Sequence, residues 1–186
     1  MAKLPNHAKC VFKGILFDTY QWEQKLPNGS FTTFEMLRRK HAVSVIAIKD
    51  DSVYYVEECY PGQDHFTGLI RGCANNYEDN PLDTAKRELL EESGMVSNDW
   101  SLILETNSHP FIDCPIYIYV AKNCNKISTQ ELDASENIKV CSTDIDDFCN
   151  NILNRDNFQS KHPLKEDMLN SMCNDNIKKL KKILEV

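Results

Sequence analysis

The sequence predicts an α+β domain: a central mixed sheet in a helix, sheet and helix sandwich, with an antiparallel hairpin region at the N-terminus. Three observations predict it. Residues 41–48 run His41, Ala42, Val43, Ser44, Val45, Ile46, Ala47, Ile48, the pattern of a buried central strand. Residues 80–94 carry start and stop signals of a helix at both ends. The stretches 53–56, 100–105, 115–121 and 138–141 are short, largely apolar and separated by turn residues, as strands are.

Taken in order, residues 11–17 and 22–26 read as strands. Pro27, Asn28, Gly29 and Ser30 form a strong turn signal, and residues 31–37 return as the second arm of a hairpin. This small sheet has few apolar residues on a regular face, so it is expected to pack on something else. Residues 49–52 form a turn into the strand 53–56. A loop around Pro61 and Gly62 leads to a strand at Gly68 and then to the first helix. Ser142 or Thr143 can cap a second helix from Asp144 to about Leu153, and residues 164–186 read as a final helix. The division expected is an N-terminal strand region over 1–40, a catalytic domain over 41–155 and a helical extension over 156–186.

The first helix carries the chemistry. Asn80 can cap it, Pro81 fits its first turn, and Asp83 suits the positive helix end. Leu82, Ala85 and Leu89 form an apolar stripe, and Gly94 can take the left-handed conformation that ends a helix. On its other side stand Arg87, Glu88, Glu91 and Glu92. At about 3.6 residues per turn, Glu88 neighbours both Glu91 and Glu92, and Arg87 neighbours Glu91. Acids alone at this spacing read as a solvated helix face with ion pairs. Crowded on a bounded helix with a buried back, they repel unless a cation sits among them. A hard divalent ion with oxygen ligands fits, and Mg2+ suits a site where substrate phosphates supply further ligands.

At these residues the chain resembles the Nudix hydrolases. Their box is Gly, five residues, Glu, seven residues, then Arg-Glu-aliphatic-x-Glu-Glu-x-Gly-aliphatic. Its second half matches at every defined position from Arg87 to Met95. Its first half departs: Asp79 stands for Glu, and Cys73 falls where Gly belongs. Two registers remain open. Gly68 is the box glycine, with about five extra residues in the loop that follows, or Gly72 is, with Glu78 as the acid and one residue inserted before Arg87. The strand 41–48, the hairpin before it, and residues 108–113 resemble the ADP-ribose pyrophosphatase branch. Pro110 stands sixteen residues beyond Gly94, as a proline often does there.

The resemblance implies an enzyme that hydrolyses the pyrophosphate of a nucleoside diphosphate sugar such as ADP-ribose. GDP-mannose, a nucleoside triphosphate or a dinucleotide is the alternative substrate, and a nucleotide sensor without turnover is the alternative class. It implies Mg2+, with Mn2+ as substitute, held by Glu88 and Glu92. Glu91 would serve a further metal or its water, oriented by Arg87, and the backbone carbonyl of Thr67 would complete a metal site. It places a general base on the later acidic loop, with Glu136 ahead of Asp133 and Glu131; singly, each of these also reads as a solvated loop acid. It implies a homodimer formed through the N-terminal strands.

Substrate contacts are assigned to Arg71, Glu58, Arg39 and Pro110. Glu57 and Glu58 replace basic or amide groups, and Tyr60 stands where the branch usually has arginine. Glu58 reads equally as a surface acid. Phe12, Tyr20, Trp22 and Phe34 offer a stacking surface for a base, although aromatics in strands are more often core. Arg38, Arg39 and Lys40 can reach a phosphate, although such a run is usually solvated. His65 and His109 read as structural.

Composition excludes other classes. The net charge of −7 over 186 residues argues against nucleic acid as a partner, while metals can still bridge the chain to an anionic nucleotide. No apolar run approaches a membrane span, and the first residues begin no signal peptide, so a cytoplasmic, non-membrane protein is expected. Eight cysteines without metal spacing read as reduced thiols. Near the C-terminus, Ile177, Leu180 and Leu184 share one stripe of a basic helix, read as docked on the core rather than on a membrane or an acidic partner.

Overall fold

A computed structural model describes residues 3–59, 62, 65–107, 109–134, 136–156, 161–162 and 164–184. The expectations at Tyr60, Pro61 and Ser108 lie outside them.

The central sheet is mixed, as expected. Its path is β13 (Ile138–Asp144), β5 (Ser52–Glu58), β4 (Ala42–Lys49), β11 (Ile116–Lys122) and β9 (Asp99–Thr106). Within it β4 and β11 are parallel, and the other neighbours are antiparallel. Two short strands lie off this path: β6 (Phe66–Gly68) pairs with β5, and β7 (Ile70–Cys73) pairs with β4.

Alternation along β4 sends its side chains to two cores. Val43, Val45 and Ala47 pack with Ala85 and Leu89 of α1 (Pro81–Ser93). Ile46 and Ile48 pack on the opposite face with Leu164 and Met168 of α3 (Leu164–Ser171) and with Ile177 and Leu180 of α4 (Asn174–Leu184). The period of two in a strand thus produces three layers from one apolar run.

The helix α1 ends as its sequence specifies. The Asn80 side chain accepts the Leu82 N–H at 2.9 Å, Pro81 occupies the first position, and Gly94 sits at φ 70° with its N–H on the Leu90 carbonyl. A Cβ on Gly94 would also lie 2.1 Å from the Ser128 carbonyl oxygen. Two independent constraints therefore demand glycine there.

Three elements differ from expectation. The strand β1 spans Lys9–Lys13 and stops short of Phe17. The second helix is capped by Asp144, the last residue of β13, whose carboxylate accepts from Asp146 and Asp147; Ser142 and Thr143 lie further back in the strand, paired with Tyr54 and Val53. It is a single turn, α2 (Ile145–Asp147), continued by a π-helical turn over Phe148–Ile152. The C-terminal helix is two helices. Arg155 donates to the Leu169 and Met172 carbonyls and so terminates α3.

At the N-terminus, β1, β2 (Asp18–Lys25), β3 (Phe31–Arg38) and β10 (Ile112–Asp113) form a second sheet. One face buries Trp22 and Met36, while Phe12, Phe31 and Phe34 are exposed. A two-stranded ribbon of β8 (Met95–Val96) and β12 (Asn125–Lys126) completes the fold. No helix among the described residues is long and apolar enough to cross a membrane. All eight cysteines are free.

Candidate active site

The last two turns of α1 face β7 at very short range. A Cβ built on Gly72 would lie 2.0 Å from the Glu88 carboxyl carbon, so only glycine admits this carboxylate. The next residue back, Arg71, donates its backbone N–H to Glu92 Oε2 at 3.2 Å. The strand edge at Arg71 and Gly72 is therefore the peptide surface set against Glu88 and Glu92. This geometry favours Gly72 as the box glycine. It also moves the adjoining peptide from Thr67 to Arg71, since Thr67 pairs with Glu57 in the sheet and does not line the cleft.

Glu88 and Glu92 are 8% and 4% exposed. Burial pushes the Glu88 carboxyl up to about 7, opposed by the Arg87 charge. Burial pushes Glu92 up to about 9, opposed by the Arg71 N–H and reinforced by Glu58, Glu88 and Glu136. Arg87 bridges two acids, donating to Glu91 at 2.5 Å and Glu88 at 2.6 Å, and it anchors to the Cys73 carbonyl at 2.8 Å. Burial opposes its charge, yet Glu88 and Glu91 raise its pKa further.

The acidic loop closes the far side. The Gln130 amide donates to the Glu92 and Ile138 carbonyls, and the Glu131 N–H donates to the Glu91 carbonyl. Glu136 accepts the Asp133 N–H at 2.9 Å. The result is a polar cleft of about 260 Å³ lined by Arg71, Gly72, Arg87, Glu88, Glu91, Glu92 and the three loop acids Glu131, Asp133 and Glu136, with Cys73 and Asn75 at its side.

Hard oxygen donors at this density, two of them buried and reluctant to ionise alone, fit a hard divalent cation. Among the described residues, no three His, Cys, Asp or Glu side chains already converge as a ligand set. Arg87 draws Glu88 and Glu91 to one side while the Arg71 N–H holds Glu92.

Other candidates fall elsewhere. Glu58 is 2% exposed and is no surface acid; Arg71 Nε lies 3.3 Å from its Oε1, which accepts no hydrogen bond among the described residues. Arg71 also stacks on Phe66 at 3.9 Å, so its guanidinium is held on two sides where it meets the cleft. Arg39 lies in a neighbouring cavity of about 190 Å³ with Arg38, His41 and Tyr77, its guanidinium 3.0 Å from Cys73 Sγ. Pro110 is exposed and does not line the cleft. His109 accepts the Phe111 N–H within its own turn. Asp79 bonds Asn76 and not Arg87. Sequence reasoning missed Asp167, whose carboxylate accepts the Leu69 N–H at 3.4 Å beside Arg71 and Glu58, because 98 residues separate the partners. It also missed Gln130, a lone polar residue with no local signal.

A mixed sheet between helices, carrying a Glu-rich helix against a glycine strand, defines a class that the comparisons with known proteins also reach. The NUDIX domain matches residues 38–166. The chain belongs to the Nudix hydrolase family, on its ADP-ribose pyrophosphatase-like branch. It is 25% identical to an ADP-ribose pyrophosphatase of Bacillus subtilis (strain 168) over 155 residues, 81% of this chain and 83% of that one. Over the same length and shares it is 29% identical to the methanol dehydrogenase activator of Bacillus methanolicus. The crystal structure of an ADP compounds hydrolase superposes with a TM-score of 0.68 at 18% identity, covering 97% of this chain and 92% of that one, and shows the shared fold. By class the protein is a Nudix pyrophosphatase.

Proposed function

We propose that the protein hydrolyses the pyrophosphate of a nucleoside diphosphate sugar, ADP-ribose foremost, with Mg2+ as its cation and Mn2+ as a substitute. The observation that carries this reading is the pair of buried carboxylates, Glu88 and Glu92, facing an open polar cleft with two arginines at its wall. The likeness to the ADP-ribose pyrophosphatase of Bacillus subtilis supports the same substrate class.

Glu88 and Glu92 hold the cation, joined by the backbone at Arg71 in place of Thr67. Glu91 takes a further ion and is oriented by Arg87. When bound, the cation neutralises phosphate charge and lowers the pKa of water. The Arg71 side chain, fixed by Glu58 and Phe66, offers its remaining N–H groups to a phosphate oxygen. Glu136 is the foremost general base, because it lines the cleft opposite α1. Asp133 and Glu131 line the same wall. Neither Arg39 nor Pro110 lines this cleft, so their substrate role is confined to a group reaching past it. The protein acts as a cytoplasmic homodimer joined through the N-terminal sheet, with residues 41–155 as its catalytic domain and 156–186 as its helical extension.

The test is a nucleotide panel with Mg2+, read by product mass. The expected products are AMP and ribose 5-phosphate from ADP-ribose. Glu92→Gln should lose about 100-fold or more in rate while remaining folded. No metal-dependent turnover of any nucleotide by the folded parent would overturn the reading.

A further inference from the structure

The loop between β7 and α1 is the part of the box that departs from the family pattern. It is tied at its base and at its tip. At the base, the Ala74 N–H donates to the His41 carbonyl at 3.0 Å. In the middle, Asn76 donates its backbone N–H to Asp79 at 2.8 Å. At the tip, the Tyr77 hydroxyl donates to Asp18 Oδ2 at 3.0 Å, and the Arg38 guanidinium lies 4.5 Å from the centre of the Tyr77 ring.

Asp18 and Arg38 are not arbitrary partners. They face each other across the β2–β3 pair, one opening its strand and the other closing its own. Tyr77 therefore lands with its hydroxyl on the acid and its ring on the base of one cross-strand pair. Arg38 is oriented in turn by Asp113, 3.9 Å away on β10. Burial and the Asp18 carboxylate push the Tyr77 phenol up to about 12, so it remains an O–H donor through the neutral range.

The loop so anchored is a partition. Cys73 and Asn75 line the carboxylate cleft, while Tyr77 and Asp79 line the adjacent cavity with Arg38 and Arg39. We propose that Tyr77 is a positioning residue: by clamping the loop onto the Asp18–Arg38 pair, it fixes the wall of the carboxylate cleft and sets the room for the substrate group beyond the hydrolysed phosphates. This rests on the function proposed above. Freed from the N-terminal sheet, the loop would sample many conformers and the wall would be formed only part of the time. The carboxylates stay on α1, held by its caps and buried stripe. Substrate fit should then suffer before the chemical step does.

The experiment uses the full chain with Tyr77→Phe, Tyr77→Ala, Asp18→Ala and Asp18→Asn. Amide hydrogen exchange over residues 74–79 and steady-state kinetics on ADP-ribose with Mg2+ are measured together. Tyr77→Ala should accelerate loop exchange and raise KM about three- to ten-fold with kcat little changed. Tyr77→Phe, which keeps the ring on Arg38, should fall between parent and Tyr77→Ala. Asp18→Asn, which keeps an acceptor, should be milder than Asp18→Ala. Should Tyr77→Ala fail to fold, Tyr77→Phe carries the test. Loop exchange equal to the parent's overturns the clamp. A kcat that falls in step with melting temperature, at constant KM, reduces Tyr77 to a structural role and also overturns it. If the parent turns over nothing, the proposed function fails, and loop exchange alone then decides the clamp.

Discussion

Gly72 makes the tightest approach in the site. Its missing side chain is what allows the Glu88 carboxylate to rest against β7, where a Cβ would come within 2.0 Å. Gly72→Ala should therefore displace Glu88 and cut turnover about 100-fold, with a far-UV spectrum like the parent's; near-normal activity would show that Glu88 is held some other way. The two buried acids also set a pH dependence. Their folded values, about 7 and about 9, lie above the ordinary 4.5, so the folded chain binds protons more tightly than the unfolded one. That contribution favours folding fully below about pH 4.5 and is lost as pH rises through about 7 for Glu88 and about 9 for Glu92. A divalent cation held there, as proposed, would take the place of those protons. Melting curves with Mg2+ against a chelator should show a larger gain at pH 8 than at pH 5, and equal gains would contradict the assignment. At this scale the sequence was readable where the cause is local. The spacing of Arg87, Glu88, Glu91 and Glu92 needs nothing beyond helix geometry. The choice between Gly68 and Gly72 needed the packing of α1 on β7, which no counting of residues contains.

Among the elements, α1 was legible because both its ends are written in adjacent residues: Asn80 and Pro81 at one, Gly94 at the other. The helical segment after β13 falls where expected, but its cap is Asp144 rather than Ser142 or Thr143, which are good caps by chemistry but lie inside the strand. Asp144 ends the strand and caps the helix at once. The break between α3 and α4 depends on Arg155, which reaches back from a preceding segment to two carbonyls. The basic helix α4 is docked, as its stripe implied: Ile177, Leu180 and Leu184 are all buried against the core shared with Ile103 and Ile118. Removing residues 175–186 strips three buried side chains, each worth about 1.5–3 kcal/mol. The melting temperature should fall by many degrees while relative rates across substrates persist. An unchanged melting temperature would show that α4 does not dock in solution.

At the scale of the molecule, the carboxylate cleft lies on one face of the central sheet and the C-terminal helices cover the other. The two are not independent. Asp167 of α3 meets the backbone at Leu69, beside Arg71 and Glu58, so the later layer supports the strand edge that faces the carboxylates. The N-terminal sheet contributes from a third side through Asp18 and Arg38. Val11, Phe12, Phe31 and Phe34 of this sheet are exposed, and the proposed dimer would cover them. Light scattering on the eluted protein should give twice 21.4 kDa, and a monomer mass would remove the dimer from the account. The three-layer architecture was legible because β4 is a nearly unbroken apolar run, the mark of a strand buried on both faces. The links between layers were not, since they join residues far apart in the chain. The central claim is that Glu88 and Glu92 hold a divalent cation against a pyrophosphate. Anomalous diffraction from crystals grown with Mn2+ and a non-hydrolysable ADP-ribose analogue tests it most directly. The expected result is a metal peak within about 2.5 Å of both carboxylates and a phosphate oxygen; a bound analogue with no metal at those two side chains would contradict it.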